Sequence, residues 1–242
     1  MRGALDGAIN EASAALRSTC RAFTGANLYH AVLRLRPEAR GAWTLARFVD
    51  EALGRRLRRG PIEGLLPPPR RRPGWRPSGL ARQERDACFP AAILLVDRPA
   101  IVDLFVASGA LVQARVAVVC VDGSPGHVIG WLRRGMKAGH RAPVGYLHDA
   151  QTVLYPFLLE PLATLSRLER GSRIAYRDLG IGPGRPLRDP LGIARRVAAG
   201  ATSLEEVPPS SLVAYACQEL LRMVAPDPML LPMTAAIGSG LQ

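Results

Sequence analysis

The chain has 242 residues, 48% of them hydrophobic, which is enough for a substantial core and excludes disorder along its whole length. Its apolar runs are short and broken by Arg, Pro or Gly, and the N-terminus lacks the charged-then-apolar order of a signal peptide, so the reading is a soluble cytoplasmic protein away from membranes. With 32 Lys+Arg against 20 Asp+Glu the net charge is +12, nearly all of it arginine, whose planar fork matches phosphate oxygens; nucleic acid is the leading partner.

Two further counts narrow the classes. The four cysteines (Cys20, Cys88, Cys120, Cys217) are far apart and form no C-x-x-C pair, which argues against a zinc ribbon or a disulfide framework. Aromatics make up 5%, which disfavours a stacking platform for single strands. A plainer source of the charge is the Arg bias of a GC-rich genome.

In chain order, Leu5, Ile9, Ala12 and Leu16 fall at helical spacing, and Leu45, Phe48, Val49, Leu53 and Leu57 repeat the pattern. Between them "FTGANLYHAVLRL" opens with residues suited to capping a further helix. Residues 1–60 therefore read as a helical module. Residues 61–90, dense in Pro, Gly and Arg, read as a basic linker in which neither helix nor strand persists.

From residue 91 the grammar changes. "AAILLV", "ARVAVVCV" and "APVGYLH" are apolar strands, alternating with helices predicted over "PAIVDLFVAS", closed by Gly109, and "GHVIGWLRRGMKA", closed by Gly139. Strands without polar alternation that take turns with helices predict an α/β domain over 91–242, with a parallel sheet covered on both faces. After residue 152 a helix is expected, then Pro/Gly-rich loop over 180 to 210, then an amphipathic helix from Ser211 to Val224 that packs on the sheet.

In such a sheet the chemistry sits beyond the carboxyl ends of the strands. Each predicted strand ends there in an acid: Asp97, Asp122 and Asp149. Carboxylates gathered without obvious basic partners repel one another, and a divalent cation relieves this; oxygen ligands favour Mg²⁺ over zinc. Asp also serves at strand-to-loop transitions simply as a helix cap. A metal triad of His127, His140 and His148 lacks ligand spacing.

The ordered set "ILLVDRPAIVDLF", "VVCVDGSPGHVIGWLRRG" and "YLHDAQT" resembles the Toprim fold of topoisomerase VI A subunits, the related meiotic double-strand-break transesterases and the nuclease subunit of Wadjet plasmid-defence systems. Those families carry Glu after the first strand, a Gly-x-Pro turn after the second and Asp-x-Asp after the third. Here the positions hold Asp97, Gly123-Ser124-Pro125 and Asp149-Ala150-Gln151, so Gln151 stands where a second carboxylate would be. The resemblance covers about sixty residues. It implies a Mg²⁺ site built from Asp97, Asp122, Asp149 and Gln151, weakened or lost because Gln151 is neutral and Asp97 is one methylene short.

The topoisomerase VI A and meiotic families also cut with a tyrosine on a winged-helix module, at the end of a motif resembling Arg-Asp-Ile-Tyr-Tyr, so the resemblance implies a winged-helix-like DNA-binding module over residues 1–60. The corresponding run here is Ala26-Asn27-Leu28-Tyr29-His30: Tyr29 stands at the first tyrosine position and His30 takes the second, so Tyr29 is the candidate nucleophile, with Asp97 as the second catalytic candidate; Tyr29 equally suits a core position with its hydroxyl at the edge. The candidate DNA contacts are Arg55, Arg56, Arg58, Arg59, Arg70, Arg71, Arg72, Arg133, Arg134 and Lys137. The resemblance implies double-stranded DNA as partner, a nucleoid location, and a homodimer or hetero-complex in which an ATPase subunit is a candidate.

Three functions stay in view. One is Mg²⁺-dependent cleavage of DNA. A second is a non-catalytic DNA-binding or scaffolding subunit of a larger DNA-processing or plasmid-defence complex. The third is a doubly wound nucleotide-binding domain, against which stands the lack of G-x-G-x-x-G after the first visible strand.

Overall fold

A computed structural model describes residues 2–68, 90–113, 115–120, 135, 139, 142–149, 176–180 and 203–224. The expected helices over 127–138 and after 152 lie outside this set, apart from the single positions Gly135 and Gly139. Among the described residues no helix is long and apolar enough to cross a membrane.

The first helix, α1 (Arg2–Thr19), buries Ala8, Ile9, Ala12 and Leu16 along one stripe. Helix α2 (Gly25–Leu35) begins at a capping box. Thr24 Oγ1 accepts the Asn27 N–H at 3.1 Å, and Asn27 Oδ1 accepts the Thr24 N–H at 3.0 Å, so two orphan donors are satisfied reciprocally. After a 3₁₀ turn at Pro37–Gly41, α3 is continuous over Leu45–Arg47, Phe48–Leu53 and Gly54–Leu57. Its middle part widens to π geometry, the Gly54 N–H reaching back to Val49 O.

These helices close on one core: Ile9, Leu16, Phe23, Leu28, Val32, Phe48, Ala52 and Leu53, joined by Ile62. The module therefore runs past residue 60, because the chain returns along α1 and pairs Phe23 with Leu65 in a lone parallel bridge. Leu65 packs on the helical core and Leu66 on the next one. Among the described residues the module has no strand pair that would form a wing.

The second core surrounds a parallel sheet of β1 (Ala92–Val96), β2 (Val116–Cys120), β3 (Val144–Leu147) and β4 (Tyr176–Asp178), in the order β2-β1-β3-β4. Every residue of β1 and β3 is buried, as strands covered on both faces require. Helix α4 (Pro99–Ser108) starts with Pro at its first position and is capped by Gly109 at φ +69, the left-handed region that glycine adopts without strain. A short α5 (Ala110–Gln113) leads to β2, and α6 (Pro209–Val224) lays Leu212, Ala216 and Leu220 on the sheet core.

The chain is thus an α/β protein with a parallel sheet, as its apolar strands predicted. Two elements differ from the sequence reading. β4 is three residues long, too short to carry a periodic signal, and a 3₁₀ turn at Leu204–Glu206 lies inside the stretch expected to be open loop.

Candidate functional site

β1 leads to β2 on one side, while β3 lies on the other, so the strand order reverses between β1 and β3. Open α/β sheets bind ligands just beyond the carboxyl ends of the strands at such a reversal. Val96 is paired with Leu147, so the strand tips are level and Asp97 and Asp149 emerge side by side. Two of the three acids placed there by sequence, Asp97 and Asp149, are neighbours. Asp122 and Gln151, the other two expected ligands, lie outside the described residues.

The crevice is occupied by the chain itself. Asp149 is 4% exposed; its Oδ1 accepts the Leu204 N–H at 2.6 Å and its Oδ2 pairs with the Arg98 guanidinium. Its own N–H donates to Asp97 Oδ2 at 3.1 Å. Arg98 spans the gap with a second arm to Glu205 Oε2 at 3.0 Å. The expectation that these carboxylates lack a basic partner is therefore corrected: Arg98, next to Asp97 in sequence, answers two acids at once. Leu204 is fully buried and Glu205 nearly so, so the 3₁₀ turn sits across the strand tips as a plug.

Glu205 carries the electrostatic strain of this arrangement. Burial, and the Asp149 and Asp97 charges beside it, push its carboxyl up against the opposing pull of Arg98. The turn also ties the two cores together. Asn27 Nδ2 donates to Glu205 O at 2.9 Å, and Arg34 donates to Glu206 O at 3.2 Å.

On the opposite side of β3, His148 lies against Tyr146, with Nε2 at 2.9 Å from Asp178 Oδ1 and Nδ1 at 2.9 Å from Asp149 O. Both partners are acceptors, so only the doubly protonated ring satisfies both. Burial opposes that charge, but the bonds to Asp178 and the Asp149 carbonyl, with the charges of Asp178 and Asp97, outweigh it and raise the ring's pKa. A Cβ at position 180 would sit 2.1 Å from His148 Nε2, so the ring occupies the space that glycine leaves.

Tyr29, the expected nucleophile, is buried, with its ring against Phe48 and its hydroxyl donating to Trp43 O at 2.8 Å. That is the environment of a core tyrosine whose polar end has a partner. His30, the next residue, lies edge-on to the ring, and burial together with Arg34, Arg40 and Arg98 lowers its pKa to about 4.

The arginines divide sharply. Arg56 donates to Asn10 Oδ1 at 2.7 Å and to Gly60 O, and Arg59 to Asp6 Oδ2 at 2.6 Å, so both fasten α3 to α1. Arg55 and Arg58 make no side-chain hydrogen bond or ion pair among the described residues. Arg70, Arg71, Arg72, Arg133, Arg134 and Lys137 lie outside the described residues.

No protein-family model matches the chain, and no curated protein or solved structure is significantly similar to it. Among the described residues no group of three or more His, Cys, Asp or Glu side chains is arranged to hold a metal ion. Of the expected Mg²⁺ ligands among the described residues, Asp149 has both oxygens engaged and Asp97 has Oδ2 turned to a backbone N–H. Sequence reasoning missed Arg98, Glu205 and the His148–Asp178 pair. A guanidinium directly after the first acid was the available signal for Arg98.

Proposed function

We propose that this chain binds double-stranded DNA and acts as a non-cleaving scaffold within a larger DNA-processing assembly. The observation that carries the reading is the Arg98 bridge: the guanidinium pairs with Asp149, one of the acids where a metal would sit, and with Glu205, and Leu204 is buried against the strand tips. A guanidinium in place of a metal ion, together with the Leu204 N–H, engages both oxygens of Asp149. The +12 charge supports a polyanionic partner, because it raises encounter rates with a phosphate backbone and each neutralised phosphate releases counterions.

The second reading, Mg²⁺-assisted cleavage by a Toprim-like site, draws support from the adjacency of Asp97 and Asp149. It requires Arg98 and Leu204 to withdraw. One experiment separates the two. Duplex binding is followed by fluorescence anisotropy between about 50 and 200 mM salt, where several phosphate contacts lower affinity by orders of magnitude. In parallel, supercoiled plasmid is incubated with the protein and Mg²⁺ or Mn²⁺. Salt-sensitive binding with intact plasmid is the expected result. Nicking that disappears in Asp149→Ala supports the second reading, and absence of binding at low salt removes both.

A further inference from the structure

The C-terminal half of α3 with the two residues after it, Gly54 to Arg59, carries four arginines in six residues and no acid. On a helix, residues at i and i+3 share a face. Arg56 and Arg59 form one such pair, Arg55 and Arg58 the other. The first pair faces α1 and is consumed by Asn10, Gly60 O and Asp6. The second points along the neighbouring flank: Arg58 is exposed, Arg55 is half-buried, and among the described residues neither guanidinium has a hydrogen-bond or ion-pair partner.

The acids of the same helix do not compensate this flank. Glu51, one turn before Arg55, is held instead by Arg47 at 3.1 Å, and among the described residues Asp50 makes no ion pair with Arg55 or Arg58. Two unsatisfied forks rooted about 5–6 Å apart present donors to successive anionic oxygens. A helix C-terminus also welcomes cations because of its dipole, but one pair already serves that end while bonded to α1.

We propose that Arg55 and Arg58 are the phosphate-contacting pair of the N-terminal module, gripping the backbone of duplex DNA without reading sequence, and that Arg56 and Arg59 are structural ties that take no part in binding. This rests on the DNA-binding reading above and specifies where its contacts lie.

The test uses two charge-matched double variants of the full chain, Arg55→Gln/Arg58→Gln and Arg56→Gln/Arg59→Gln. Each lowers the net charge by the same amount, so a general charge effect acts equally on both. Affinity for a duplex of random sequence is measured across a salt series, with thermal unfolding alongside. The first variant should melt like the parent, while its slope of log affinity against log salt becomes shallower by about 2. The second should melt lower and keep the parental slope.

Equal slope changes in the two variants overturn the proposal, as does an unchanged slope in the first. If the second variant does not fold, Arg17→Gln/Arg36→Gln replaces it, because those arginines sit in exposed pairs with Glu63 and Glu38. Failure of the parent protein to bind DNA at all is a different outcome, which removes the DNA reading itself. Tighter binding of the parent to phosphatidylserine vesicles than to the duplex, with the same loss in the first variant, overturns the assignment of the pair to DNA.

Discussion

Asp149 gives its backbone N–H to Asp97 Oδ2 at 3.1 Å and its carboxylate to Arg98, so the two acids meet as donor and acceptor of one bond. Arg98 is the hinge of this relationship. Its side chain is 43% exposed, while those of Asp149 and Glu205 are 5% and 7% exposed. Replacing Arg98 by Ala strands two buried carboxylates, and unfolding in urea should register a loss of about 2 kcal/mol, reduced from the cost of a fully buried pair by solvent at the guanidinium. Arg98→Lys should recover less than half, because one ammonium cannot present two parallel arms.

Gly180→Ala tests the packing beneath His148. The new Cβ would lie 2.1–2.4 Å from three ring atoms, so the imidazole must leave its place between Asp178 and the Asp149 carbonyl. Overpacking of this kind costs about 1–3 kcal/mol. The His148 ring protons in an NMR spectrum should shift together with the loss of stability.

Tyr29→Phe removes the bond to Trp43 O and leaves the ring against Phe48. Stability should fall by about 1 kcal/mol, with DNA affinity unchanged. A denaturing gel of parent and variant incubated with DNA should contain no protein–DNA adduct in either lane; an adduct seen only with the parent would restore Tyr29 as a nucleophile.

The two histidines should pull stability in opposite directions with pH. His148 has a folded pKa raised above 6.5, so its contribution is full below about 6.5 and is lost as pH rises through the folded value. His30 has a folded pKa lowered from 6.5 to about 4, so its contribution is present above 6.5 and is lost as pH falls from there toward 4. Urea midpoints measured across this range should flatten on the alkaline side in His148→Gln and on the acid side in His30→Gln.

Asn27→Asp isolates the tie between the two cores. The substitution keeps the capping oxygen for the Thr24 N–H but turns the Nδ2 donor into an acceptor facing Glu205 O. The buried mismatch should cost about 1–3 kcal/mol. Calorimetry should then resolve two unfolding transitions in place of one.

How much of this was readable without coordinates depends on how far each feature's causes extend along the chain. β1, β2 and β3 were legible because burial on both faces leaves no polar residue in "AILLV", "VAVVC" or "VGYL". The end of α4 was written in Gly109, and α6 in its repeating apolar positions. Asp97 and Asp149 could be placed at adjacent strand tips because strand polarity puts them there. What occupies the crevice could not be read, since Arg98 bonds a residue 107 positions away and Asp149 one 55 positions away. Neither separation leaves a periodic mark. The sorting of four neighbouring arginines into tied and untied pairs was invisible for a related reason: it is decided by Asp6 and Asn10 on another helix.

The Asn27–Glu205 bond joins residues 178 positions apart. A ribosome adds about 5–20 residues per second, so the amide of Asn27 is in solution for on the order of ten seconds or more before its carbonyl is synthesised. The helical module must survive that interval on its own apolar interior. Newborn chains are consequently open at the seam between the two halves, and a protease or chaperone that engages early will find its purchase there.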